Sequence, residues 1–164
     1  LIYSVGAPSI AQKLLDGGLP VHETAQALDA DMQMIEMDTD TTQADDNARG
    51  TAFGLMAAEP NTGLIVTTAI GPQDVPEGDF WQKATPNIAA VLGTMISGAT
   101  ARIPVIAEGK GAIAAADMLA KLRPDMMQYV FACESSPEES DGPGYSGSML
   151  AAWGLSQALE EDAA

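Results

Sequence analysis

Apolar positions along the chain fall into short continuous runs separated by alanine-rich stretches of helical period, and this alternation predicts strands interleaved with helices. Leu1 to Val5 reads as a short strand closed by Gly6-Ala7-Pro8, after which Ile10, Leu14 and Leu15 recur at helical spacing over Ser9 to Leu15. Asp16-Gly17-Gly18 stops that helix. Pro20 suits the first turn of a second one, which carries Val21, Ala25 and Leu28 on one face and ends near Asp29. Met32 to Asp38 reads as the next strand. From Asp38 to Asp46 the chain is built of Asp, Thr, Gln and Asn, which bond their own backbone in turns, so a mobile loop is expected there. Arg49 to Ala58 reads as a short helix interrupted by Gly50 and Gly54.

Gly63 to Gly71 holds the clearest strand, Leu-Ile-Val-Thr-Thr-Ala-Ile between two glycines, and its unbroken apolar character predicts burial on both faces. The stretch from Gly71 to Asp79, with Pro72, Pro76 and Gly78, is a connection. Asn87 to Thr100 predicts an apolar helix whose Ala89, Ala90, Gly93, Ser97 and Gly98 allow a neighbour to approach closely. Ile103 to Ala107 is a strand, Ala112 to Leu122 a helix broken by Pro124, and Gln128 to Cys133 a final strand. A polar loop from Glu134 to Tyr145, a helix from Ser146 to Leu159 and an acidic tail follow. Strands alternating with helices predict an α/β fold. It is a Rossmann-like three-layer sandwich with a mostly parallel sheet of about five strands, formed by residues 1–164 as a single domain.

Composition narrows the function classes. Seven basic residues against 23 acidic ones give a formal charge of -16, so the surface repels polyanions and nucleic acid is not an expected partner. A nucleotide needs local relief from that field, which Lys83, Arg102, Lys110, Lys121 or Arg123 would supply. Cys133 is the single cysteine, which excludes an intrachain disulfide and a cysteine-rich metal cage and fits a reducing cytoplasm. The uncharged run from Ala84 to Ala101 contains Thr, Asn, Ser, Pro and Gly and reads as a buried helix; no membrane association is expected. The first residues show no basic stretch leading into a long apolar core, so no targeting signal is expected. Nine methionines, Met32, Met34, Met37, Met126 and Met127 among them, read as core fillers.

Parallel strands bring their carboxyl ends to one rim, where ligands bind in open α/β sheets. That rim gathers Ser4 and Gly6, Asp38 and Asp40, Thr67 to Gly71, Glu108 to Gly111, and Glu134, Ser135 and Ser136. The organising stretch is Arg102-Ile-Pro-Val-Ile-Ala-Glu108-Gly-Lys-Gly-Ala, a strand, tight turn and helix start. Gly109 and Gly111 permit close backbone approach there, Lys110 offers a charge to an anion, and the helix start offers free N–H groups. An ordinary βα turn uses the same residues. Crowded carboxylates raise one another's pKa, which suits Glu108 first and Glu134 second to general-base work or to binding an N–H-bearing heterocycle; capping of adjacent turns is the other reading of both. Asp38, Asp40, Asp45 and Asp46 lack the calcium-loop pattern, and no metal or cofactor is expected. His22 lies away from the rim and no histidine accompanies Cys133 in any motif, which argues against a triad or Cys-His enzyme.

Residues 99–138 resemble the late part of the nicotinate-nucleotide:dimethylbenzimidazole phosphoribosyltransferases. The likeness is carried by Arg102-Ile-Pro-Val-Ile-Ala-Glu108-Gly, the Ala-Ala-Ala-Asp-Met-Leu-Ala helix and Tyr129-Val-Phe-Ala-Cys-Glu-Ser-Ser-Pro-Glu138. Pro8 to Asp38, with its Gly17-Gly18 pair, and Arg49-Gly50-Thr51-Ala52 add to it. Glu108 stands where that family has aspartate and Glu134 where it has histidine, while Ser136 and Glu138 keep their types. The family's glycine-rich Asn-Thr-Thr segment and its late Gly-Glu-Gly glutamate have no match in this chain. The resemblance implies transfer of ribose phosphate from a nicotinate nucleotide to an aromatic base, as in cobalamin biosynthesis, in a cytoplasmic homodimer. Glu108 or Glu134 would act as base. Ligand contacts would come from Gly6, Asp38, Gly71, Gly109, Lys110, Gly111, Ser135, Ser136 and Glu138. The departures imply the other reading, a relative that has lost the chemistry and serves as a binding or partner subunit. The helix around Gly93 and Gly98 would pack either across a dimer or inside the chain.

Overall fold

A computed structural model of the 164-residue chain describes residues 2–5, 12, 15–17, 20–27, 29–37, 44–70 and 80–133. Within them lie strands β1 (Ile2–Val5), β2 (Gln33–Glu36), β3 (Ile65–Ile70), β4 (Val105–Glu108) and β5 (Val130–Cys133). The helices are α1 (Pro20–Ala27), α2 (Ala44–Gly54), the single turn α3 (Phe80–Lys83), α4 (Pro86–Ala101) and α5 (Lys110–Leu122), and a 3₁₀ turn spans Pro124–Tyr129. The strands form one sheet in the order β2-β1-β3-β4-β5, and every neighbouring pair is parallel. This is the expected α/β architecture.

Burial follows position in the sheet. Residues 65–69 of β3 and all four of β4 are buried, as aliphatic strands covered on both faces must be, whereas the edge strands β2 and β5 expose half their residues. Ile65, Ala69, Val105, Ala107 and Val130 face the helix layer and pack with Ile88, Leu92 and Met95 of α4 and Ala112, Ala115 and Leu119 of α5. The alternate residues Val66 and Ile106, with Leu64, form a smaller cluster on the opposite face. The chain crosses the sheet one way from β1 to β2 and the other way from β2 onward. Right-handed crossovers therefore assign α1 to the face of Val66 and Ile106, and put the topological switch point between β1 and β3.

Helix α4 is apolar all round because it is buried all round: Pro86 to Met95 and Ser97 to Ala99 have almost no exposed surface. Its small residues are used within the chain. A Cβ on Gly54 would collide with the Ala90 carbonyl oxygen, one on Gly93 with that of Thr51, and one on Gly98 with Val105 Cγ2. The first two glycines set the α2–α4 contact and the third lets α4 settle on β4. Ser97 Oγ locks the crossing by donating to Leu55 O at 2.9 Å and accepting from Ala58 N–H at 3.0 Å. The Gly93–Gly98 segment therefore packs inside the monomer and offers no dimer face.

Several boundaries differ from the sequence reading for identifiable reasons. The loop expected up to Asp46 is already helix at Ala44: Asp45 and Asp46 occupy the first turn of α2, where carboxylates meet the positive end of the helix dipole. That helix stops at Gly54 and does not run on to Ala58, since Leu55 to Ala57 form a turn closed by Ala57 N–H to Gly54 O. Ile103 belongs to a helix cap and not to β4. Arg102 adopts a left-handed conformation (φ 62°) and Ile103 N–H returns to Gly98 O at 2.8 Å, a Schellman closure. Gln128 and Tyr129 complete the 3₁₀ turn, so β5 starts at Val130. The helix α3 was not anticipated. Met95 is core and Met118, Met126 and Met127 pack at its margin, but Met56 is 65% exposed and fills nothing. The connection expected over Gly71 to Asp79, the polar loop from Glu134 and the last helix lie outside the described residues. No helix among the described residues is long and apolar enough to cross a membrane.

Candidate functional site

The carboxyl ends of β3, β4 and β5 meet in register, with Thr68 beside Glu108 and Glu108 beside Cys133. Since Val105 and Ala107 face the helix layer, strand alternation sends Glu108 to the opposite face, with Ile106. Glu108 has 0% of its surface exposed, although glutamate is almost never fully buried without dedicated partners. A carboxylate at such depth, at the binding edge of a parallel sheet, can accept a hydrogen bond or a proton from a ligand that enters there.

The backbone around it is held from both sides. Thr68 Oγ1 donates to Glu108 O at 2.8 Å, and Gly109 N–H donates to Cys133 O at 2.9 Å, so both polar atoms of the Glu108–Gly109 peptide are engaged by neighbouring strands. Gly109 then turns the chain with φ 102°, a conformation open to glycine, and its carbonyl accepts from Ile113 N–H as α5 begins. The helix thus starts at Lys110, two residues before the sequence expectation. Lys110 is exposed, and Gly111 is buried, with room for a Cβ denied by Ile88 Cγ1 at 2.9 Å. The Gly109 N–H serves the β5 ladder, which leaves the close backbone approach at this glycine as its contribution to the turn. An anion at this turn would meet Lys110 and the start of α5 instead.

Cys133 completes the row. Its thiol lies 3.8 Å from Ala107 O, and burial first and the nearby negative charge of Glu108 second push its pKa up, so it stays protonated and unreactive at neutral pH. The expected cations divide by topology. Lys83 and Lys110 lie at the carboxyl edge, on segments leading into α4 and α5. Arg102, at the end of α4, and Lys121 and Arg123, at the end of α5, lie at the opposite edge, where Arg123 pairs with Asp125 at 2.7 Å.

Of the candidate residues, the structure brings Glu108, Gly109, Lys110 and Gly111 together. Gly6, Asp38, Gly71, Glu134, Ser135, Ser136 and Glu138 lie outside the described residues. The sequence places Thr68 on the rim within Thr67 to Gly71 but gives it no role of its own. The available signal was a pair of hydroxyls, Thr67-Thr68, inside an otherwise aliphatic buried strand. Among the described residues no three of His, Cys, Asp and Glu come together as a metal cage.

A family model described as phosphoribosyltransferase matches residues 81–156, which include β4, the Glu108 turn, α5 and β5. No curated protein sequence matches the chain. Among solved structures, the nicotinate-nucleotide-dimethylbenzimidazole phosphoribosyltransferase of Thermus thermophilus is similar with a TM-score of 0.66 at 12% identity, over 80% of this chain and 67% of that one. A structure of CobT from the same organism gives a TM-score of 0.63 at 12% identity, over 80% of this chain and 68% of that one.

Proposed function

We infer that this chain, a divergent relative of the nicotinate-nucleotide:dimethylbenzimidazole phosphoribosyltransferases, binds an aromatic base or a nicotinate nucleotide at the carboxyl ends of its strands and transfers ribose phosphate to the base. The observation that carries this reading is the fully buried Glu108 at the end of β4, inside the matched segment and beside the turn into α5. A benzimidazole is flat and apolar with one N–H, and a buried carboxylate is the acceptor that would select and orient it. In the transfer, the unprotonated ring nitrogen forms a bond to C1′ of the sugar, the bond from C1′ to the nicotinate nitrogen breaks with its electron pair, and nicotinate leaves as a neutral pyridine ring. The N–H proton of the base passes to Glu108 and from there to solvent. The sugar phosphate would rest at the start of α5, with Lys110 relieving part of the negative field. In this reading Glu134 is a second carboxylate of the site, and the reaction belongs to cobalamin biosynthesis.

The test is chromatographic. Incubation of the purified protein with nicotinate mononucleotide and dimethylbenzimidazole is expected to yield α-ribotide and free nicotinate in equal amounts, and Glu108→Gln is expected to lower the rate by about 100-fold or more. Absence of α-ribotide at high protein concentration would reject the transfer for this chain and leave the reading of a binding or partner subunit. Turnover unaffected by Glu108→Gln would move the base elsewhere.

A further inference from the structure

We propose that Thr68 is a positioning residue that fixes Glu108 at the carboxyl edge of the sheet. The proposal rests on the reading of Glu108 as the carboxylate of the site and adds the residue that aims it. A glutamate has several rotatable bonds, and its carboxylate can be held in one place only if its peptide is held first. The Glu108 carbonyl is held by the Thr68 hydroxyl at 2.8 Å, across the β3–β4 pair where the two residues are in register. The N–H of the same peptide, that of Gly109, is held by Cys133 O at 2.9 Å from β5. A peptide plane gripped at both polar atoms cannot rotate, and the side chain that leaves it starts from a fixed direction.

The hydroxyl has a single proton to give. Its other acceptor in reach, Ala69 O, lies at 3.4 Å, so the proton goes to Glu108. The adjacent Thr67, which faces the helix layer with 1% exposure, has a hydroxyl oxygen with no hydrogen-bond partner among the described residues. Of the two adjacent hydroxyls of β3, the one bonded to the neighbouring strand is that of Thr68.

Cys133 supplies a readout that needs no turnover. It is the only thiol in the chain, and among the described residues the charged group that acts on it is Glu108. A thiolate beside a carboxylate is disfavoured, so removing or displacing that negative charge lowers the pH at which the thiol ionises. Thiolate absorbance followed against pH is expected to show wild type titrating above the ordinary thiol range and Glu108→Gln titrating lower. Thr68→Val should fall between the two, and Thr68→Ser should follow the wild-type curve because it restores the donor. Thr68→Ala carries the same expectation as the valine variant, so a folding defect in one leaves the other to decide. Circular dichroism checks that each variant is folded. A Thr68→Val or Thr68→Ala protein that is folded and titrates as wild type while Glu108→Gln shifts would overturn the proposal. A thiol insensitive to Glu108→Gln would overturn the geometry on which it stands. Where α-ribotide is formed, the hydroxyl-free variants should lower kcat with little change in KM, and Thr68→Ser should restore it. Failure of the wild-type protein to form α-ribotide rejects the transferase reading alone, since the thiol titration still reports the position of Glu108.

Discussion

At the scale of single residues, the depth of Glu108 sets the terms for its neighbours. Burial around Cys133 first, and the negative charge of Glu108 second, favour the protonated thiol, and this has a consequence for stability. A thiol whose pKa is raised in the folded state binds its proton more tightly there than in the unfolded chain. Its contribution is therefore complete below the ordinary thiol value and is lost as the pH rises through that value toward the folded one. Urea denaturation at increasing alkaline pH should show wild type losing stability across this window, and Cys133→Ala losing less. Equal losses in both proteins would mean that the thiol does not carry this linkage. The same residue scale is where sequence reading reached least far. Glu108 was legible because a carboxylate interrupts an aliphatic run beside two glycines. The role of Thr68, a residue already on the rim, was not, because the carbonyl its hydroxyl serves is 40 residues further along the chain and becomes its neighbour only when β3 and β4 pair.

At the scale of elements, α4 organises the helix layer through closeness more than through bulk. Gly50 and Gly54 of α2 lie against backbone carbonyls of Pro86 and Ala90, and Gly93 of α4 lies against that of Thr51. Backbone carbonyls cannot swing aside as a side chain can, so a methyl group at these positions must push the helices apart. Gly54→Ala is expected to lower the unfolding free energy by about 3 kcal/mol, at the upper end of the usual cost of overpacking. Gly63→Ala, where an added Cβ meets nothing within 4 Å, should stay within about 0.5 kcal/mol of wild type. Denaturant unfolding of the two variants side by side checks this, and similar losses in both would refute close packing as the reason. The small-residue pattern was readable in the sequence, and so was β3, whose β-branched run is buried on both faces. What the pattern left open was the identity of the neighbour. Dimer and monomer packing call for the same small residues, and only the positions of Thr51 and Ala90 decide between them. The start of α2 was misread for a related reason: Asp45 and Asp46 favour turns and helix N-termini alike.

At the scale of the whole molecule, the order β2-β1-β3-β4-β5 places the ends of β3, β4 and β5 beside the switch point, in a chain whose formal net charge is -16. A phosphorylated ligand would meet a repulsive field unless cations offset it at the entrance, and Lys83 and Lys110 are described cations on that side. The alternation of strands and helices made the layer order and the ligand edge legible from sequence, because handedness and connectivity leave few arrangements. Which edge each cation reaches was not legible, since that depends on where α4 and α5 end. Whether ligand enters at the carboxyl edge around Glu108 is read from amide chemical shifts of the isotopically labelled protein during titration with dimethylbenzimidazole. The shifted amides are expected to cluster at Thr68, Glu108, Gly109, Lys110, Gly111 and Cys133, and Glu108→Gln is expected to weaken the response. Shifts centred instead on the exposed apolar residues Phe53, Leu55 and Met56, or no shifts at saturating ligand, would contradict entry at that edge.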